Sequence, residues 1–139
     1  MISASASRRL RLARLLIGLV AVWNLQAALV FIAWPHLYAP GFMLTGVPGE
    51  AAVRGVGVLF VMWNLPYLLA LWHPQQYRLA LQLALAMQVL GVLGESLIYF
   101  TFPADYPILR ASILRFTAFD AAGVILLGAA YWLTQREST

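Results

Sequence analysis

Apolar residues fill this chain in four long blocks, separated by short stretches rich in proline, glycine and polar side chains. The first block, Leu15 to Trp34, carries no charge over about 20 residues, the length that crosses the roughly 30 Å hydrocarbon core of a bilayer as an α-helix. With the preceding turn it predicts a span over residues 12–34. Trp34-Pro35-His36-Leu37-Tyr38 does not resemble the small-residue cleavage site that follows a signal peptide, so the first block reads as a retained helix. From Pro35 to Glu50, Pro35, Pro40, Gly41, Gly46, Pro48 and Gly49 predict a loop, and its Tyr38, Phe42, Met43 and Leu44 place that loop in the membrane interface.

The second span is predicted over residues 52–72, with a kink near Asn64 because Pro66 cannot donate to the helical ladder. His73-Pro74-Gln75-Gln76 makes a turn, the third span covers 78–102, Phe102 to Pro107 makes the next turn, and the fourth covers 108–133. Short connectors predict an all-α membrane protein: an antiparallel up-down bundle of four transmembrane helices, forming a single domain over residues 1–139. Trp34, Trp72, Tyr99, Tyr131 and Trp132 fall near the span ends, as interfacial aromatic belts do.

Composition agrees with the pattern: 63% of the 139 residues are hydrophobic and 10% charged, against about 25% charged in a soluble domain. The chain has no cysteine and no lysine, which removes thiol chemistry, disulfides and a lysine Schiff base or nucleophile. Its net charge of +4 comes from Arg8, Arg9, Arg11 and Arg14 crowding beside the first span. Such a cluster is a topology signal and a contact for anionic membrane lipids rather than for nucleic acid. With the N-terminus cytoplasmic, those four and Arg78 and Arg136 lie inside, while Arg54, Arg110 and Arg115 lie toward the outside; this majority predicts both termini in the cytoplasm.

The candidate chemistry lies in polar residues within the spans. One charge near a span centre costs roughly 2.5 to 3.5 kcal/mol, whereas a Leu or Phe returns about 0.3 to 0.6 kcal/mol. Arg54, Glu95, Arg115 and Asp120 must therefore face the bundle interior, a watery cavity or the outer interface. Their depths place all four in the outer half, with formal charges summing to zero. Gln88, Gly91, Glu95 and Tyr99 form one stripe of the third span, and Phe116, Asp120 and Gly123 one face of the fourth, with Arg115 turned away from Asp120. Two readings stand side by side. Arg115 with Glu95 and Arg54 with Asp120 pair to fix helix register, while Asn24, Asn64 and Gln88 bond between helices; alternatively, Glu95 and Asp120 line a site for a proton, a cation or a polar headgroup.

Gly18, Ala21 and Ala28 on the first span, and Gly55 and Gly57 on the second, are expected to mark close helix packing. Val22-Trp23-Asn24-Leu25 is echoed by Met62-Trp63-Asn64-Leu65, which reads either as chance in an aromatic-rich chain or as the remnant of an inverted repeat. No catalytic motif accompanies the acids, and His36 and His73 are expected on opposite sides of the membrane, so neither a haem nor a metal is expected.

The four spans, the Pro- and Gly-rich first loop, the opening Arg54-Gly55-Val56-Gly57 and the acid high in the third span together resemble the small DoxX-like four-helix membrane proteins. The resemblance implies an accessory role near a quinone, since some members of that group are subunits of quinone-linked sulfur oxidation; it carries over no catalytic residue. The leading expectation is a non-catalytic binder of a lipid- or quinone-like ligand, or a subunit of a larger membrane complex. A proton-coupled transporter acting as a homo-oligomer, and a quinone- or lipid-linked enzyme subunit, are the alternatives.

Overall fold

The computed structural model describes the backbone of residues 4–135 and the side chains of residues 6–135; Arg136, counted above toward topology, lies outside the described residues. The described residues form helices joined by short turns, with no strand among them, and four helical stretches are long and apolar enough to cross a membrane: Ala6–Ala33, Gly46–Trp72, Arg78–Thr101 and Pro107–Gln135. Large apolar side chains such as Leu15, Leu19, Leu90, Leu97 and Ile125 point outward on these helices. Water would be a poor solvent for that surface, and a bilayer covers it at no cost.

Helix α1 (Ala4–Ala33) starts about two turns before the predicted residue 12, because no breaker interrupts Arg8 to Ala13 and arginine is a good helix former. Its 30 residues extend about 45 Å, more than the hydrocarbon thickness, so the arginine cluster rides on the helix itself. The predicted loop 35–50 is largely helical. Pro35 opens the short helix α2 (Pro35–Tyr38), and a 3-10 turn follows over Ala39–Phe42. That turn closes on Met43, which takes a left-handed φ of 56° and donates to the Pro40 carbonyl at 3.0 Å. Helix α3 (Gly46–Trp63) begins six residues before the predicted 52. Pro48 permits this, since its missing N–H falls in the first turn, where no intrahelical acceptor exists anyway.

The second span breaks at Asn64, after which α4 (Leu65–Trp72) continues. Pro66 there removes one ladder bond, and Asn64 re-uses the disturbed turn: its Nδ2 donates to the Phe60 carbonyl at 2.7 Å. Helices α5 (Arg78–Thr101) and α6 (Pro107–Gln135) match their predicted ranges within two residues.

Specific bonds tie the helices together. Arg14 Nε donates to the Leu71 carbonyl at 3.0 Å, capping the end of α4, and Gln82 Nε2 donates to Tyr131 Oη at 3.0 Å. Arg110 lies 4.1 Å over the Tyr99 ring and donates to the Tyr99 and Phe102 carbonyls, capping the end of α5. Gly57 lets α1 and α3 approach closely: a Cβ there would stand 2.9 Å from the Ala28 carbonyl and 3.0 Å from Phe31 Cβ. Gly55, expected to do the same, faces open space.

Two cores result. One joins Ala13, Ile17, Val20 and Ala21 of α1 to Tyr67, Ala70, Leu81, Ala84, Leu127 and Ala130. The other is aromatic, built from Phe31, Ala39 and Val53 with Tyr38, Phe42, Phe60 and Phe116 around them.

Candidate functional site

Between the two cores lies a cavity of about 180 Å3, lined by Trp23, Asn24 and Ala27 of α1, Phe60, Trp63 and Asn64 at the break in the second span, Gly91 and Glu95 of α5, and Phe116, Phe119 and Asp120 of α6. Its walls are mainly aromatic. Trp23 meets Phe119 edge to face at 4.7 Å, and Phe60 and Phe116 lie 6.3 Å apart. Besides the indoles of Trp23 and Trp63, its polar side chains are two amides and two carboxyls.

Asp120 is held by a directed chain of hydrogen bonds. Trp63 Nε1 donates to Tyr67 Oη at 3.2 Å, Tyr67 Oη donates to Gln88 Oε1 at 2.5 Å, and Gln88 Nε2 donates to Asp120 Oδ1 at 2.7 Å. Tyr67 and Gln88 are fully or almost fully buried, so each needs this partner. Two glycines make room for the chain. A Cβ at Gly91 would overlap the Asp120 carboxylate, with Cγ at 2.9 Å, and one at Gly123 would stand 2.6 Å from Gln88 Cδ. The predicted stripes of α5 and α6 therefore meet as interlocking faces, small residue against polar side chain.

Glu95 and Asn64 are bound differently. Glu95 Oε2 and Asn64 Oδ1 are buried oxygens without a hydrogen-bond partner among the described residues. The orientation of the Asn64 amide follows from its surroundings: its nitrogen faces the Phe60 carbonyl, an acceptor, so the oxygen is the atom left open. Glu95 also lines a second space of about 300 Å3, with Phe42, Leu44, Val53, Val56, Phe60 and Phe116. It thus stands in the wall between two cavities.

Of the residues expected to form one cluster, the structure brings together Asn24, Asn64, Glu95, Asp120 and, through its bond to Asp120, Gln88. Arg54, Arg115 and Tyr99 stand apart. Arg54 is exposed on α3. Arg115 lines a neighbouring space of about 300 Å3, where its Nη2 donates to Ser112 Oγ at 3.4 Å while Ser112 Oγ donates to the Gly41 carbonyl at 2.6 Å. Tyr99 serves the Arg110 clamp. Among the described residues neither Arg115 with Glu95 nor Arg54 with Asp120 forms an ion pair, because both arginines are exposed and away from the cavity that holds the acids. Tyr67, Trp23 and Trp63 were not singled out as site residues by the sequence. The echo of Trp23-Asn24 by Trp63-Asn64 was the one available signal, since all four of those residues line the cavity.

The chain matches no family model, no curated protein and no solved structure.

Proposed function

We propose that this chain is a membrane-embedded binding protein, an up-down-up-down bundle with both termini cytoplasmic, whose cavity holds the polar, ring-sized part of a lipid- or quinone-like amphiphile. The observation that carries the reading is the cavity itself: aromatic walls around two buried oxygens, Glu95 Oε2 and Asn64 Oδ1, that nothing among the described residues satisfies. An unpartnered buried polar atom costs about 1 to 3 kcal/mol, which a bound ligand relieves. Paired positions support the antiparallel arrangement: Arg14 with Leu71, Phe31 with Phe116, Gln82 with Tyr131 and Tyr99 with Arg110 run in opposite directions along neighbouring helices. The arginines of α1 then set the cytoplasmic end, and the aromatic core faces outward. The absence of a nucleophile or cofactor motif beside the acids favours binding over catalysis.

Thermal unfolding of the purified protein in detergent, titrated with short-tailed quinones, lysolipids and small organic cations, tests this. A saturable rise in Tm for one class, lost in Glu95→Gln, is expected. No response from any class would overturn the reading.

One observation favours a second reading, proton-coupled transport by an oligomer: Glu95 lines two adjoining cavities, so its carboxyl can meet a substrate held in either of them. Flux of a bound cation in proteoliposomes distinguishes it from simple binding.

A further inference from the structure

We infer that the cavity takes a primary or secondary ammonium carried on a single ring, bound as a cation between Glu95 and Asp120; the inference rests on the binding-protein reading above and names the chemistry of its ligand. Four features of the site lead to it.

The first is charge. The acids were expected to be neutralised by Arg54 and Arg115, but the residues lining the cavity include two carboxyl groups and no basic side chain. A carboxylate pair inside a membrane protein is strongly unfavourable unless it takes up a proton or meets a counter-charge. A cation brought by a ligand supplies the charge that the chain withholds.

The second is hydrogen-bond polarity. Asn64 turns an N–H to the Phe60 carbonyl, which leaves its oxygen as an open acceptor. Gln88 presents its amide N–H to Asp120 because Tyr67 holds its oxygen from the other side, so Asp120 too is set as an acceptor. Glu95 Oε2 is open. Apart from the Asn24 amide these groups accept, so a ligand that donates suits them, and an ammonium group carries two or three N–H donors and no acceptor. The carbonyls of an oxidised quinone are acceptors and would face acceptors; a quinol donates but brings no charge.

The third is the wall. Trp23, Trp63, Phe60, Phe116 and Phe119 surround the polar groups, and aromatic faces attract desolvated cations as well as covering apolar rings. The fourth is size. A cavity of about 150 Å3 holds a benzene molecule, so about 180 Å3 has room for one ring and a short amine arm.

Isothermal titration of the full-length protein in detergent with benzylammonium, its uncharged counterpart benzyl alcohol, and a short-tailed benzoquinone with its quinol tests the inference. The expected result is that benzylammonium binds about tenfold or more tightly than benzyl alcohol, as the charge and cation–π contributions require. Glu95→Gln and Asp120→Asn should each remove that preference while keeping the fold, as read by Tm and circular dichroism; Arg54→Gln should leave it unchanged. Equal binding of ammonium and alcohol, or tighter binding of the quinone, would overturn the cationic ligand and leave the binding-protein reading standing. Silence from all four probes with folded wild-type protein would overturn the cationic ligand, and the lysolipid titration would then decide the binding-protein reading.

Discussion

The two ends of the bundle are packed by different rules. At the end that carries the arginine cluster, alanines from four helices let Ile17, Tyr67, Leu81 and Leu127 fill the interior completely, each with no exposed surface. At the other end, phenylalanines hold the helices apart: Phe31, Phe42, Phe60 and Phe116 touch one another ring to ring, at centroid distances from 5.9 to 6.3 Å, and leave cavities of about 180 and 300 Å3 among them. In lipid, helices gain little from hiding apolar surface and associate mainly by close packing and interhelical hydrogen bonds. Small residues therefore make the rigid end, and large planar ones make the end that can hold something else. The Tyr67–Gln88–Asp120 chain joins them, anchored in the tight core and ending in the hollow one.

That contrast can be broken from either side. Leu127→Ala in the tight core should cost the most, about 3 kcal/mol, since the lost volume cannot be refilled by neighbours already in contact. Gly123→Ala should come next, at about 2 kcal/mol, because the added methyl group meets Gln88 and must push α5 from α6 or break the bond to Asp120. Equilibrium unfolding in mixed detergent reads both, and Gly123→Ala should also lower affinity for whatever the cavity binds. The smallest effect is expected at Glu95→Gln, within about 0.5 kcal/mol of wild type, since Glu95 Oε2 has no hydrogen-bond partner to lose among the described residues. A loss as large as that of Leu127→Ala would mean that Glu95 is a packing residue of the bundle, and that the hollow end is built for stability after all.

Much of the fold was legible from the chain alone, because burial in lipid leaves a coarse signal: twenty-odd apolar residues can satisfy their backbone only as a helix. Pro66 marked the break at Asn64 for the same local reason. The helix starts were harder. Proline was read as a breaker at 35 and 48, yet in the first turn of a helix it has no bond to lose, so α2 and α3 begin where a loop was expected.

The candidate site divides along the same line. Helix periodicity alone grouped Gln88, Gly91 and Glu95 on one face of α5 and Phe116, Asp120 and Gly123 on one face of α6, since side-chain direction along a single helix is a local property. Which faces meet is a property of four helices together. A tidy charge balance put Arg54 and Arg115 beside the acids, whereas packing turned both outward and filled the place between Asp120 and the tight core with Gln88 and Tyr67. The sequence determined that four spans would form and that buried acids would need an answer. Only the tertiary structure decided that one acid is answered by a glutamine and that the other lines an aromatic-walled cavity, because a charge sum has no geometry and a hydrogen bond does.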